Sequence, residues 1–150
     1  MNTPLERCDD LLLDNQLCFA LYSTSLLMTK VYKPLLQELG LTYPQYLAMM
    51  VLWEGDGITV GDISARLLTD PGSLTPLLKR LEAEGLITRT RSSADERVVE
   101  LHLTEKGRAM HQQAQRVPAC ILAASEMDIA GLGQLKDELV SLRRSLQKAV

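Results

Sequence analysis

The chain has 150 residues, of which 46% are hydrophobic and only 4% aromatic, so we expect one domain with an aliphatic core. No apolar run approaches the ~20 residues of a membrane span, and the polar, acidic first ten residues are unlike a signal peptide. These features predict a cytoplasmic protein without a membrane partner. The formal net charge of −3 gives no indication of nucleic acid, so any such function depends on where the charges lie.

The first predicted element is a long amphipathic helix. Apolar residues from Leu17 to Leu35 alternate in spacings of four and three, which is typical of a helix with one apolar face. Pro34 lies inside this pattern and is expected to kink or end the helix, and Gly40 has the character of a C-terminal stop. A second helix is predicted over residues 43–53, with Pro44 in its first turn.

Two short helices and a hairpin are predicted next. Residues 59–68 begin with a suitable N-cap, and residues 73–84 place four leucines on one face. The turn between them contains Asp70, Pro71 and Gly72, and helix, turn, helix is a nucleic-acid-binding pattern. Whether the second helix starts at Asp70 or at Gly72 stays open, and this decides whether Pro76 lies in its interior. Strands over residues 86–91 and 98–103 complete a winged helix.

Several polar residues of this segment are candidates for contacts with duplex DNA. Arg97 lies at the wing tip, where an arginine suits a narrow minor groove, and Asp95 can orient it through a charge-assisted hydrogen bond. Arg89 and Arg91 share one face of a strand and can reach phosphates. The outward face of helix 73–84 suits a major groove. Its candidate residues are Ser73, Thr75, Pro76, Lys79 and Arg80.

The C-terminal part predicts a dimer. Thr104 caps a helix to about Gln115, Pro118 interrupts it or opens the next helix, and the last helix carries leucines at heptad spacing between Leu132 and Leu146. The N-terminal and C-terminal helices each carry an apolar face, and together these leave more apolar surface than one small winged domain can cover. A two-fold homodimer is the simplest closed arrangement that buries these faces.

The titratable and nucleophilic residues do not form a metal, cofactor or catalytic motif. Three cysteines, Cys8, Cys18 and Cys120, lie far apart, which argues against a disulfide framework and a zinc site. His102 and His111 have no ligand partners at metal spacing and are predicted to be surface residues. The chain also has no glycine-rich phosphate loop and no nucleophile elbow. We therefore expect neither a cofactor nor an enzyme.

One string and one wing motif carry a family resemblance. Residues 13–22 read Leu-Asp-Asn-Gln-Leu-Cys-Phe-Ala-Leu-Tyr, and the wing contains Asp95-Glu96-Arg97 followed by Leu103-Thr104-Glu105-Lys106-Gly107. From about residue 13 to 146 the chain resembles the organic-hydroperoxide-sensing (OhrR-type) branch of the MarR family of repressors. The chain departs from that pattern at Pro71, which removes a hydroxyl that could reach DNA.

The resemblance implies both a fold and a function. The fold is a mainly α winged helix-turn-helix homodimer with a small β-hairpin wing, in which residues of about 10–40 and 117–150 form the dimer layer and about 43–103 the DNA-binding lobe. The function is repression at a pseudo-palindromic operator in double-stranded DNA. An organic hydroperoxide then oxidises Cys18 to a sulfenic acid and a disulfide, which releases the DNA.

The resemblance also assigns the sensor pocket. Tyr32 and Tyr43 hydrogen-bond Cys18 across the subunit interface, and Tyr22 and Phe19 flank the same pocket. Cys120 lies in the segment where two-cysteine members carry a resolving thiol, and the other outcome is a mixed disulfide with a small cellular thiol.

Two other functions compete with this interpretation. One is a MarR-type repressor that binds a phenolic ligand reversibly, with Cys18 merely packed in the structure. The other, more remote, is a thiol peroxidase, in which the winged hairpin would have no use. Release of DNA by an oxidant, reversed by a reductant, distinguishes a redox sensor from the ligand-binding repressor. A peroxidase assay at substoichiometric protein tests the enzyme, because an enzyme turns over whereas a sensor needs one oxidation event.

Overall fold

The structure is a computed structural model that describes residues 3–150, with seven α-helices and a three-stranded sheet in that range. The helices are α1 (Leu17–Leu39), α2 (Tyr43–Glu54), α3 (Val60–Leu67), α4 (Pro71–Ala83), α5 (Glu105–Ala114), α6 (Arg116–Ser125) and α7 (Ile129–Lys148). The strands are β1 (Ile58–Thr59), β2 (Ile87–Arg91) and β3 (Val99–Leu103). Two single 3-10 turns, Asp9–Leu11 and Leu13–Asn15, precede α1.

The first helix continues through its proline. We expected Pro34 to kink or end the helix, and the observed helix does not end there but runs to Leu39. Pro34 removes one backbone hydrogen bond, whereas burial of Leu36 and Leu39 in the core stabilises the turns that follow. Gly40 ends the helix as predicted, with φ of 72° and its N–H on the carbonyls of Gln37 and Leu36.

Side-chain caps set the starts of the next three helices. Thr42 and Gln45 form a reciprocal capping box at α2, and Thr59 and Asp62 form another at α3. At α4 the Asp70 side chain accepts from the Ser73 backbone N–H, so the helix begins at Pro71. Pro76 therefore lies in the helix interior, which decides the alternative that the sequence left open.

The predicted hairpin is present and gains a short third strand. The sheet order is β1-β3-β2, with both pairs antiparallel, and Ile87 pairs with Leu103 while Ile58 pairs with Leu101. Sequence patterning missed β1 because it has only two residues. After the hairpin, Thr104 caps α5, and a Cβ at Gly107 would overlap the Leu86 carbonyl oxygen. Glycine is therefore required where α5 crosses the start of β2.

The core belongs to the winged part and to the end of α1. Fully buried side chains include Met49, Leu52, Ile63, Leu78 and Leu101. By contrast α7 has no buried residue, and Leu135 and Leu139 are 44% and 38% exposed. Most of α1 before Tyr32 is exposed in the same way. Between residues 3 and 150, no helix combines the length and apolarity that a membrane crossing requires.

Candidate nucleic-acid interface and thiol site

The outward face of α4 presents two free cations beside two hydroxyls that are already engaged. Ser73 donates its hydroxyl to Asp70 at 2.9 Å, and Thr75 donates to the Pro71 carbonyl at 3.0 Å. The Ser73 backbone N–H also donates to Asp70. This hydrogen bond, followed by the one from the Ser73 hydroxyl, lowers the pKa of Asp70. Lys79 and Arg80 are exposed and form no ion pair within residues 3–150. Pro76 is exposed one helical turn before these two cations. This face can therefore offer charge to a duplex through Lys79 and Arg80.

The wing tip holds one arginine in a defined orientation. Asp95 accepts from the Arg97 backbone N–H at 3.0 Å, from Nε at 3.2 Å and from Nη2 at 3.4 Å. Hydrogen bonds from the Arg97 side chain, and then from its backbone, lower the pKa of Asp95. The Arg97 side chain is still 91% exposed. Asp95 thus positions the guanidinium without covering it, which is the relation that the sequence predicted.

The two strand arginines have different surroundings. Arg91 donates through Nη1 to the Glu96 carbonyl at 2.8 Å, so it supports the wing loop from within. Arg89 is half-buried and lies opposite Leu101 in the sheet. Both lie on one face of β2, as alternation predicted, but Arg91 has a structural partner that sequence reasoning missed.

Cys18 is exposed near the start of α1, away from the tyrosines expected to contact it. It is the second residue of the helix, where the positive end of the helix dipole favours an anion. Tyr22 is 64% exposed one turn further on, and Phe19 is 39% exposed. Tyr32 lies fourteen residues from Cys18 in the same helix, which separates them by ~21 Å. A single protomer therefore does not assemble the predicted sensor pocket.

The phenols form their own cluster where α1 meets α2. The rings of Tyr32 and Tyr43 are 5.0 Å apart, and Tyr46 lies 6.1 Å from Tyr32. Burial, with the neighbouring phenols, raises the pKa of Tyr32 to about 12, and burial also raises the pKa of Tyr43 and Tyr46. These phenols therefore stay protonated at neutral pH and can donate hydrogen bonds.

The aromatic cluster extends further than the sequence indicated. Tyr46 continues to Trp53 at 6.5 Å, and Trp53 continues to His111 at 5.5 Å. Trp53 also donates to the Gly107 carbonyl at 2.9 Å, which ties α2 to α5. Residues 43, 46, 50 and 53 share one side of α2, and this spacing was the available signal. His111 is exposed as predicted but packs edge-on against Trp53.

The remaining cysteines are exposed and unpaired in this protomer. Cys120 lies on α6, beside the buried Ile121, and Cys8 precedes the first 3-10 turn. Over residues 3–150 no three His, Cys, Asp or Glu side chains are arranged to hold a metal ion.

These elements define a winged helix-turn-helix protein of the DNA-binding regulator class. The family model described as transcriptional regulator SarA/Rot matches residues 30–114. The organic hydroperoxide resistance transcriptional regulator of Bacillus subtilis (strain 168) is 49% identical over 140 residues, covering 93% of this chain and 95% of that protein. The chain belongs to the MarR family of transcriptional regulators, in its organic-hydroperoxide (OhrR-type) branch, and is not an enzyme.

Other relatives agree with this membership. The HTH-type transcriptional regulator TtmR of Methylorubrum extorquens (strain PA1) is 44% identical over 93% of this chain and 72% of that protein. Among solved structures, reduced AbfR bound to DNA has a TM-score of 0.75 and 34% identity, covering 92% of this chain and 94% of that chain. Disulfide-formed AbfR, also 34% identical, has a TM-score of 0.62 over 91% and 90% of the two chains.

Proposed function

We propose that this regulator is a homodimeric repressor that leaves its operator when an organic hydroperoxide oxidises Cys18. One observation carries the proposal: the exposed thiol of Cys18 and Tyr32 of the phenol cluster both lie on α1 but are ~21 Å apart. Cys18, Ser25 and Tyr32 are spaced by sevens, so they lie within ~40° of one another around the helix. A second copy of α1, antiparallel to the first, brings the thiol to the partner subunit's phenols.

The apolar surfaces support the dimer layer. Leu132 and Leu135 of α7 and exposed apolar residues of α1 border a cleft of about 310 Å³ between α1, α6 and α7. Such continuous apolar surface is unusual on a monomer of this size and is typical of an interface. In this proposal the helices of about 10–40 and 117–150 form the dimer, and residues of about 43–103 form each DNA-binding lobe.

The proposed dimer binds a pseudo-palindromic operator in double-stranded DNA. A two-fold dimer places its recognition helices about one duplex turn apart, roughly 34–36 Å. In each half-site α4 enters the major groove through Lys79 and Arg80, and Arg97 enters the minor groove. Reduced AbfR is bound to DNA and shares the fold over most of this chain, which supports the same partner here.

The signal is a two-electron oxidation of sulfur. The Cys18 thiolate attacks the terminal peroxide oxygen, the O–O bond breaks, and sulfenic acid and an alcohol form after one proton is taken up. A second thiol then displaces water from the sulfenic acid to give a disulfide. The neutral phenols of Tyr32 and Tyr43 donate hydrogen bonds to the thiolate without adding a second negative charge.

The second thiol is Cys120 of the other subunit or a small cellular thiol. Cys120 is exposed on α6 and available for either pairing. Overoxidised AbfR is bound to DNA with a TM-score of 0.74, close to the 0.75 of reduced AbfR, whereas disulfide-formed AbfR has 0.62. In that relative the disulfide form departs most from the fold seen here. This supports disulfide formation as the step that changes the conformation of the subunit.

The test compares cysteine variants on the upstream DNA of the regulator's own gene. Cys18→Ser should bind this DNA but ignore cumene hydroperoxide, because the hydroxyl keeps the volume and loses the nucleophile. Cys8→Ser is the matched control and should respond like the wild type. If Cys120 resolves Cys18, the oxidised wild type should run as a covalent dimer on a non-reducing gel and Cys120→Ser as a monomer. Oxidative release by Cys18→Ser would refute the proposal.

A further inference from the structure

A groove lies between the first turn of α2 and the flank of α4. Two adjoining hollows of about 290 and 420 Å³ form it, and Thr42, Gln45 and Arg80 line both of them. The smaller hollow is also lined by Ser73 and Pro76, so it opens directly beside the outward face of α4. Neither Thr42 nor Gln45 has a role so far beyond capping α2.

Gln45 gives this groove the character of a binding site. The residue is only 4% exposed, and its Oε1 accepts the Thr42 backbone N–H at 2.9 Å. Its Nε2 donates to no acceptor within residues 3–150, although in that range no fully buried side-chain nitrogen or oxygen lacks a partner. Nε2 therefore keeps some exposure and, since Gln45 lines both hollows, it is an unpaired donor at the groove on an otherwise buried residue. Such a donor gains free energy from an external acceptor.

The charges of the groove select an anionic acceptor. The groove faces the N-terminal turn of α2, where the helix dipole is positive, and Arg80 adds an exposed guanidinium. Glu84 lines only the larger hollow, so its carboxylate is outside the smaller one. The Asp70 carboxylate lines neither hollow, and it accepts hydrogen bonds from the backbone N–H and hydroxyl of Ser73. The smaller hollow therefore suits a singly charged phosphate diester.

We propose that the α2–α4 groove binds one backbone phosphate of the operator, held by Thr42, Gln45 and Arg80. This inference rests on the proposed DNA-binding function. A helix with its side chains is about 10–12 Å wide and the major groove is about 12 Å wide, so phosphates border both flanks of an inserted helix. The α2–α4 groove lies on one such flank. The contact with this phosphate sets the depth and angle of α4 in the major groove and carries no information about the base sequence.

The decisive variant is Gln45→Glu. Glutamate at the third helical position keeps the capping bond to the Thr42 N–H, so α2 should still form. The substitution removes the Nε2 donor and places a carboxylate against the phosphate. Gln113→Glu adds the same charge on the exposed surface of α5 and is the matched control. Gln45→Glu should bind operator DNA about tenfold or more weakly than Gln113→Glu, with unrelated duplexes weakened to the same extent.

Neutral methylphosphonate linkages then locate the contact. Each phosphate of the bound upstream fragment is replaced in turn, and affinities are measured for both variants, the wild type and Arg80→Gln. At one phosphate per half-site, the replacement should weaken the wild type and Gln113→Glu but strengthen Gln45→Glu, because it removes a repulsion. At that position the replacement should lower the affinity of Arg80→Gln less than that of the wild type. Because Arg80 is exposed, this variant should fold, so the test stays decisive even if Gln45→Glu does not fold.

The outcomes separate this inference from the proposed function. Tight wild-type binding together with equal affinities of Gln45→Glu and Gln113→Glu would overturn the phosphate site and leave the repressor intact. The phosphate site would also be overturned if each methylphosphonate lowered the DNA affinity of Arg80→Gln by as much as it lowers that of the wild type. Wild-type protein that binds no upstream DNA would overturn both proposals. Weakening of DNA binding by free phosphate in the wild type but not in Gln45→Glu, with no position-specific methylphosphonate effect, would assign the groove to an inorganic anion instead.

Discussion

Cys18 and Tyr32 define where the two-fold axis of the proposed dimer passes. If Cys18 contacts the partner's Tyr32, symmetry brings Tyr32 against the partner's Cys18. The two α1 helices are then antiparallel, and the axis passes near the midpoint of the fourteen-residue separation, which is Ser25. Ser25 is exposed and should face its own copy. Helix axes about 8–10 Å apart and a Cα radius of about 2.3 Å leave about 3–5 Å between facing Cα atoms.

This distance predicts a self-cross-link. A disulfide joins Cα atoms about 4.4–6.8 Å apart, so Ser25→Cys should form one on mild oxidation in a background with Cys8, Cys18 and Cys120 changed to serine. A short bismaleimide should give the same covalent dimer on a non-reducing gel. Lys30→Cys in that background is the control, because five residues turn it about 140° away from Ser25. Failure of Ser25→Cys to cross-link, or equal cross-linking of Lys30→Cys, would refute the antiparallel α1 pairing and the assembled sensor pocket.

Two further predictions concern the wing and the base of the sheet. Arg97→Ala should weaken operator binding by about 1–3 kcal/mol and reduce the salt slope by about one in gel shifts. Its melting temperature should stay unchanged, since the side chain is 91% exposed, and unchanged affinity would remove Arg97 from the interface. Asp56→Asn should cost about 1 kcal/mol in urea unfolding at pH 7, because Asp56 accepts from the Leu103 N–H at 2.9 Å and from Arg108 at 2.7 Å. The Leu103 hydrogen bond chiefly lowers the pKa of Asp56 below 3.8, so its stabilisation is present above that pH and lost as the pH falls through the lower folded value. A stability difference that persists unchanged into strong acid would contradict this assignment.

Periodicity in the sequence predicted most of the helices and both long strands. Apolar residues at spacings of three and four, followed by alternation in the hairpin, are local patterns that each element carries alone. The continuation of α1 past Pro34 could not be predicted, because it depends on burial of Leu36 and Leu39 against other helices. The two-residue strand β1 is too short to leave a pattern. It forms by pairing with β3, more than 40 residues away.

The candidate site likewise has features that the sequence predicted and features that only the structure revealed. The orientation of Arg97 was predictable because Asp95 is two residues away, and the hydrogen bonds are local. The Trp53–His111 contact joins residues 58 positions apart, so no local pattern reveals it. At Gln45 the capping box is readable from Thr-x-x-Gln, but the unpaired Nε2 follows from how α4 packs beside α2. Chain-local chemistry was therefore visible in the sequence, whereas contacts between helices required the structure.

The first turn of α2 connects the two halves of the proposed switch. Tyr43, its first residue, packs against Tyr32 in the phenol cluster, while Thr42 and Gln45 face the groove beside α4. A disulfide at Cys18 that displaces the phenols therefore acts on the element proposed to hold a DNA phosphate, without unfolding the core between them. Allosteric coupling is typically ~1–3 kcal/mol, or about 5- to 150-fold in affinity, which is comparable to the loss of one or two charged hydrogen bonds. Under this proposal, displacement of α2 is expected to weaken operator binding by a factor of that order, which is enough for partial release.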